Sequence, residues 1–277
     1  MDSLLGAVGG AAARGLHFAH GGASRCTALA VCPTWREPRA HDGRRRLGRS
    51  GDHTVRRILE TELMEDEVNV AAYAAADFDV ANSLFVTLLL RCASNASARA
   101  RVVDLGCGPG DIAVRLAQAQ PGWRIDAVDG SPVMLRYARR ALDRADLHGR
   151  VRLVQARLPS PALERAAYDV IVSNSLLHHL PDPVALWRWL RRLAKPSADV
   201  LMMDLCRPAS REQARALVET NSPHEPEVLK DDFVRSLLAA HTVAEVRQQL
   251  AAAGLDELVV EQVSDLHLVV RGRLDTR

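Results

Sequence analysis

Several features that would assign this chain to other protein classes are missing from its sequence. The five cysteines among its 277 residues are scattered and form no Cys-x-x-Cys pair, which argues against a disulfide framework or a zinc site and favours a reducing compartment. No apolar run approaches the ~18 residues that a transmembrane helix needs. The formal net charge is only +2, too small to indicate general nucleic-acid binding. We therefore expect a cytoplasmic protein with no metal, membrane or nucleic-acid partner.

Residues 1–52 lack the pattern of a folded domain. They are rich in glycine, alanine and arginine, they contain few acids, and the basic cluster 44–46 lies near their end. Without a hydrophobic period such a segment has no face to bury in a core. Asp2 stands where a secretory signal has its basic region, so secretion is disfavoured. A disordered extension, an organelle presequence and a start codon placed too far upstream all stay open.

Residues 53–95 are predicted to form helices that precede the main fold. Their apolar residues recur at helical spacing in three groups: Val55, Ile58, Leu59 and Leu63 behind a cap at Thr54; Val70, Tyr73 and Phe78; and Leu84, Phe85, Leu88 and Leu89.

Beyond residue 100, short apolar runs alternate with helical patterns. The predicted strands are Val102–Leu105, Arg124–Val128, Val151–Gln155, Asp169–Ser173, Val200–Asp204, Leu258–Val263 and His267–Arg271. The predicted helices are Asp111–Ala119, Pro132–Ala145, Pro183–Ala194, an insert from Ser210 to about Ala240, and Thr242–Ala253. Such alternation indicates an α/β fold, a doubly wound, mostly parallel sheet of seven strands with helices on both faces. The last two strands are nearly contiguous and must form an antiparallel hairpin.

The most informative segment is the glycine-rich turn after the first strand, Gly106-Cys107-Gly108-Pro109-Gly110. Glycine lets the backbone approach a ligand closely, and the start of the following helix presents free N–H groups. The second strand ends on Asp129, 19 residues beyond Gly110. That spacing is typical of the carboxylate that binds a ribose in dinucleotide-type folds.

Four segments resemble the motifs of class I S-adenosylmethionine (SAM) methyltransferases, in the order and spacing of that family. They are the turn preceded by Asp104 and Leu105, the run Val128–Leu135 after the second strand, the run Tyr168–Leu180 around the fourth strand, and Arg192–Pro196 before the fifth. The resemblance runs from about Val68 to the C-terminus. It implies SAM as the cofactor and helices before the sheet that cover it as a lid.

The resemblance also implies roles for individual residues. Asp104 would accept from the turn or from the SAM amino group, although a turn-stabilising role is the alternative. Asp129 would accept from both ribose hydroxyls. Gly130 and Met134 would flank the adenine, with core packing an equal alternative for Met134. The remaining cofactor candidates are the backbone of Gly106, Cys107, Gly108 and Gly110, together with Tyr73, which with Asn82 would reach across from the lid, and Asn174.

The third strand departs from the family, because no acid follows it to hold the adenine amino group. Gln155, or the backbone near Ala156 and Arg157, would have to bind the adenine edge instead.

Methyl transfer from a sulfonium is an in-line displacement that depends mainly on proximity. A general base matters only when the attacking atom carries a proton of high pKa. The candidates for such a base follow the fourth strand and are Asn174, His178 and His179. His179 is our choice for the catalytic role and Asn174 is a second candidate. The alternative is that one histidine packs against a helix and the other caps a carbonyl. Asn174 is not followed by Pro-Pro-aromatic, which argues against methylation of adenine or glutamine nitrogen. The insert 207–241 is expected to cover the acceptor.

The sequence thus predicts a SAM-dependent methyltransferase with a small-molecule acceptor. A methyltransferase of tRNA or protein is the nearest alternative, and a SAM-binding module without catalysis is another. The sequence assigns no oligomeric state.

Overall fold

The computed structural model describes residues 55–60 and 64–275. The predicted extension 1–52, the cap at Thr54 and Leu63 lie outside these residues. Within them the strands are β1 Arg101–Leu105, β2 Arg124–Asp129, β3 Val151–Gln155, β4 Tyr168–Asn174, β5 Ala194–Leu205, β6 Val259–Gln262 and β7 His267–Leu274. The helices are α1 Glu67–Ala75, α2 Asp79–Cys92, α3 Asp111–Ala119, α4 Pro132–Ala145, α5 Pro183–Leu193, α6 Arg211–Asn221, α7 Glu227–Ala239 and α8 Val243–Ala253.

The seven strands form one sheet in the order β3-β2-β1-β4-β5-β7-β6. The first five strands are parallel, and β7 lies antiparallel between β5 and β6. The predicted mostly parallel sheet and its C-terminal hairpin are therefore confirmed. Strand order reverses between β1 and β4, and in open α/β sheets ligands bind beyond the carboxyl ends of the strands at that point.

Local signals explain why three helices begin where they do. The side chain of Ser131 accepts from the backbone N–H of Met134, and Pro132 occupies the first position of α4. Gly110 takes a left-handed conformation directly before α3. Thr242 and Glu245 form a reciprocal capping box at the start of α8. Each helix start is thus set by residues visible in the sequence.

The sheet is covered on both faces by apolar clusters. Val103 and Leu105 of β1 pack in the cluster that includes Trp187 of α5, whereas Val102 packs in the cluster that includes Phe85 of α2. This alternation follows from the period of two along a strand. The two clusters thus bury both faces of β1, β2 and β4.

The first predicted helix is absent in the residues described there. Residues 55–60, here called the strap, have no regular secondary structure. The backbone N–H of Val55 donates to the carbonyl of Ala209 at 2.9 Å, and that of Ile58 donates to the carbonyl of Leu238 at 3.0 Å. Arg57 Nε adds a bond of 2.6 Å to the carbonyl of Ala239. The apolar spacing suited a helix, but carbonyls far along the chain satisfy these N–H groups instead.

The other predicted lid helices, α1 and α2, are present. Val70 of α1 and Phe85 and Leu89 of α2 are buried against the rest of the fold. In the described part of the chain no single helix is long and apolar enough to cross a membrane, and only α1 with α2, at 71° to each other, reach that length and composition together.

The predicted insert consists of two helices, α6 and α7. Pro223 and Pro226 fall in the break between them. Strand β5 begins six residues earlier than predicted, because Ala194 pairs with Tyr168 and an irregularity in register follows before Asp199 pairs with Val170. The turn residues Pro196 and Ser197 lie within that irregularity.

Candidate active site

The glycine turn has a conformation that requires glycine at two positions in particular. Gly106 and Gly110 have φ values of 73° and 88°. A Cβ on Gly106 would lie 2.9 Å from Leu176 Cδ1, and one on Gly110 would lie 3.0 Å from Ala138 Cβ. The backbone N–H groups of Gly106 and Cys107 both donate to the carbonyl of Val128, at 2.8 and 2.9 Å. The turn is thereby bound to the end of β2.

Asp129 is the residue that joins the turn to the start of α4. One carboxylate oxygen accepts from the N–H of Gly108 at 2.9 Å, and the other accepts from the N–H of Ser131 at 2.8 Å. Burial raises the pKa of Asp129, while the N–H groups of Ser131, Gly108 and Gly130 oppose that rise. Each oxygen has a further lone pair, so the carboxylate can also accept from two ribose hydroxyls.

Asp104 lies at the end of β1 and is 1% exposed. Its Oδ2 is buried and has no hydrogen-bond partner among the described residues. Burial raises the pKa of Asp104 to about 7, and the nearby charge of Asp129 adds to the rise. The predicted bonds from Asp104 to the turn are not seen. A buried carboxylate without a partner is costly, and a cationic amino group is the chemistry that would relieve it.

A polar chain ties the lid to the sheet at the end of β4. Asn174 Nδ2 donates to Asn82 Oδ1 at 3.1 Å, and Asn82 Nδ2 donates to Asp111 Oδ2 at 2.6 Å. Arg115 Nε donates to the same Asp111 oxygen at 2.7 Å, and its guanidinium also reaches Asp79 of α2 at 2.8 Å. The Oδ1 of Asn174 is buried and has no partner within the described part of the chain. It is a second acceptor available to a ligand.

Tyr73 approaches this crevice from α1. Its ring is half-buried and lies 4.9 Å from the ring of Phe78, centroid to centroid. Burial raises the pKa of its hydroxyl to about 12, and the charges of Asp129, Asp204 and Asp111 add to that rise. The phenol therefore lies in the field of carboxylates from three elements, and it stays protonated as a donor.

The residues predicted to contact the adenine lie in different environments. The N–H of Ala156 donates to the carbonyl of Asp129 at 2.9 Å, so it is already used by the fold. Gln155 and Arg157 are exposed. Met134 is buried in a small cluster that also includes Val70, Val133 and, partly buried, Tyr73. The structure brings Met134 to the lid and leaves the loop after β3 at the rim.

His178 is locked by a carboxylate at the end of β5. Its Nδ1 lies 2.6 Å from Asp204 Oδ1, and the N–H groups of Leu177 and Leu205 donate to the same carboxylate. Burial disfavours charge on His178, but Asp204 outweighs it and raises the pKa of the imidazole. Correspondingly, burial disfavours the charged carboxylate, but His178 outweighs it and lowers the pKa of Asp204. This buried pair orients the turn that carries His179.

His179 is set against the strap. Its Nδ1 is buried without a hydrogen-bond partner in the residues that the structure covers, and lies 3.8 Å from Glu60 Oε2. Burial lowers the pKa of His179 to about 3, with the charge of His178 adding to the effect. Glu60 in turn accepts from Ser236 of α7 at 3.0 Å.

One atom each of Glu60, His178 and His179 lies within 4.8 Å of the others, and atoms of these types could hold a metal ion. Asp204 and Ser236 already bond to two of the three.

Four residues of this site escaped the sequence analysis: Glu60, Asp111, Arg115 and Asp204. A signal existed for Asp204, because it lies one residue before the end of β5, as Asp104 does in β1, while Asp129 ends β2, and the ends of parallel strands share one edge. Glu60 carried no signal, because the strap was predicted as a helix.

Comparisons with known proteins identify the family of the chain. Residues 103–200 match the family model described as a methyltransferase domain. The chain is 32% identical over 192 residues to a trans-aconitate 2-methyltransferase of Mycobacterium sp. (strain KMS), covering 67% of this chain and 71% of the relative. It is 37% identical over 124 residues to the enzyme of that name from Azoarcus sp. (strain BH72), covering 45% of this chain and 46% of the relative. A solved SAM-dependent methyltransferase from Aquifex aeolicus shares the fold, with a TM-score of 0.56, 18% identity, and coverage of 75% of this chain and 98% of that one.

The chain therefore belongs to the class I SAM-dependent methyltransferases, and its cofactor is SAM. The residues present fit that group. Asp104 offers a buried carboxylate to an amino group, Asp129 offers two oxygens to a ribose, and Gly106 offers backbone without a side chain. The predicted family, fold and cofactor are confirmed.

Proposed function

We propose that the chain transfers the methyl group of SAM to a small-molecule acceptor bound in the crevice beyond β1 and β4. The observation that carries the proposal is the pair of buried carboxylates at the glycine turn, Asp104 with an oxygen lacking a partner and Asp129 with lone pairs to spare. Asp129 would bind the ribose and Asp104 the amino group. Asn174 Oδ1 would accept from the same amino group or from the acceptor.

SAM supplies a methyl group on a sulfonium, which leaves without help from an acid. What the protein has to add is alignment and the exclusion of water. Tyr73 and the chain from Asn82 to Asn174 would hold α1 and α2 over the crevice. Met134 and Gly130 would flank the adenine, while Gln155 and Arg157 are placed only at its rim. The backbone of Cys107, Gly108 and Gly110 would line the ribose and methionine side.

We assign His179 as the group that receives a proton from the acceptor when the acceptor has one to lose. Its pKa, lowered to about 3, keeps the imidazole neutral near pH 7, so a lone pair is available. The same shift makes it a weak base, which suits an acceptor whose proton is acidic. Glu60, at 3.8 Å from Nδ1, would stabilise the imidazolium as it forms. Residues 207–241, through Ser236 of α7, would hold Glu60 in place.

A small acceptor is favoured over RNA or protein for two reasons. Among the matching relatives are five named for trans-aconitate and three named for ubiquinone biosynthesis, all of which concern small molecules. The formal net charge of +2 gives little attraction for a polyanion.

The test uses SAM labelled on its methyl group, with a metabolite extract, total RNA and total protein as separate acceptors. We expect label in small metabolites with the wild-type chain. His179→Ala should lower the turnover number while leaving the affinity for S-adenosylhomocysteine unchanged, and His148→Ala, at an exposed histidine after α4, is the matched control. Label confined to RNA or protein contradicts the small acceptor. No label in any fraction, with cofactor binding intact, indicates a binding module.

A further inference from the structure

A cavity of about 420 Å³ lies on the outer side of the turn that carries His179. It is lined by Arg57, Pro183, Val184, His241, Glu245, Gln248, Gln249 and Ala252. Apart from His241, which ends the insert 207–241, none of these is a residue that we place in the cofactor or acceptor site. Arg57 separates the two regions, because its Nη2 donates to the carbonyls of His178 and Leu180, at 2.8 and 3.1 Å.

The tautomer of His241 is set by a chain of hydrogen bonds behind this cavity. Trp187 Nε1, which can only donate, lies 3.0 Å from Gln249 Oε1. That contact orients the amide, so Gln249 Nε2 must donate to His241 Nδ1, at 3.0 Å. Because Nδ1 accepts, a neutral His241 carries its proton on Nε2. Burial, followed by the charge of Arg57, lowers the pKa of His241 to about 4, so the neutral form prevails near pH 7.

His241 Nε2 is then a buried donor that lacks an acceptor. The residue is 5% exposed, and Nε2 meets no hydrogen-bond partner anywhere in the described ranges. Buried polar groups are almost always satisfied, and an exception calls for a ligand or a water. The same cavity is lined by Arg57, whose Nη1 makes no hydrogen bond to a described residue while Nε and Nη2 do. Two residues that line the same cavity, one of them cationic, therefore each carry a donor without an acceptor among the described residues.

The remaining polar groups limit what can bind there. Both oxygens of Glu245 are engaged, one by Arg207 and the other by the N–H of Thr242. Gln248 is exposed and offers an amide. A dianion such as phosphate would meet the negative charge of Glu245 on the same wall, whereas a planar monoanion can accept from Arg57 and His241 at a smaller electrostatic cost. Pro183, Val184 and Ala252 provide an apolar lining for a short chain.

We propose that this cavity is a second small-molecule site, which binds an organic monocarboxylate with a short apolar group. The carboxylate accepts from Arg57 Nη1 and from His241 Nε2–H, and its apolar part lies against Pro183 and Val184.

The test is a titration of the full chain with butyrate, with butyramide as the neutral isostere and inorganic phosphate as the competing anion. Calorimetry gives the affinities, and long-range ¹H–¹⁵N spectra report the two ring nitrogens of His241. We expect butyrate to bind saturably and to shift the Nε2 resonance. Butyramide should do neither, and phosphate should bind more weakly than butyrate.

Two variants assign the binding to this cavity. His241→Phe keeps a ring and removes the donor, so it should weaken butyrate binding by about tenfold or more, the loss expected for a hydrogen bond to a charged group. His224→Phe, at an exposed histidine, should change nothing. Equal affinity in His241→Phe, equal binding of butyramide, tighter binding of phosphate, or no saturable butyrate binding each overturns the proposal. If His241→Phe fails to fold, the wild-type spectra decide, since an Nε2 resonance unmoved by butyrate contradicts it.

Discussion

Replacing Asp129 by asparagine, compared with the same replacement at Asp126, separates the effect on cofactor binding from the effect on stability. The native carboxylate accepts from the N–H groups of Gly108 and Ser131 at 2.9 and 2.8 Å. An asparagine retains only one acceptor oxygen. Its amide group, which donates, would face the second backbone N–H, which also donates. It removes a charge-assisted hydrogen bond, worth about 1.5–3 kcal/mol. The same loss applies to the ribose hydroxyls, so S-adenosylhomocysteine should bind about 10- to 150-fold more weakly.

Asp126→Asn is the matched control, because Asp126 is a buried acid on the same strand. Its carboxylate accepts from the guanidinium of Arg152 at 2.8 and 2.9 Å and from the hydroxyl of Tyr168 at 2.7 Å. Asp126→Asn should lower the melting temperature and leave the affinity for S-adenosylhomocysteine unchanged. Calorimetry and thermal unfolding of both variants make the comparison. Wild-type affinity in a folded Asp129→Asn, or equal losses in both variants, would refute the assignment of Asp129 to the ribose.

Three further predictions concern the pH dependence, the lid and the N-terminus. The pKa of Asp104 is raised to about 7 in the fold, so the protein without cofactor should lose stability as the pH rises from about 4 through 7. The melting temperatures of wild type and Asp104→Asn should therefore change differently with pH in that window, and parallel pH profiles would contradict the prediction. S-adenosylhomocysteine should slow hydrogen exchange from Tyr73 to Phe85 as well as from Gly106 to Asp111, whereas protection of the turn alone would remove Tyr73 and Asn82 from the site. A chain beginning at Asp52 should keep its melting temperature and its affinity for SAM, and its unfolding would place the extension within the fold.

The sequence predicted the elements whose ends are marked by local chemistry. Helices α3 and α4 begin and end at the predicted residues, because the glycine turn precedes one and Ser131 with Pro132 begins the other. The C-terminal hairpin followed from the lack of chain between its strands. In each case the information lies within a few residues of the boundary.

The strap shows where that reasoning fails. Val55 and Ile58 fit a helical face, yet their N–H groups donate to Ala209 and Leu238, more than a hundred residues away. Tertiary partners overrode local propensity. Glu60 consequently reaches His179 from a direction that the sequence did not indicate. The cofactor residues, by contrast, lie in contiguous motifs, so their mutual positions could be predicted. The pairing of His178 with Asp204 joins the turn after β4 to the end of β5, and the sequence indicated only the position of Asp204, not its partner.

The most direct test of the account is a crystal structure of the full chain with S-adenosylhomocysteine. We expect the ribose hydroxyls within hydrogen-bond distance of both Asp129 oxygens and the amino group at Asp104 Oδ2. The sulfur should face the space between Asn174 and His179. A cofactor bound with its ribose away from Asp129, or with its sulfur directed away from His179, would contradict the account.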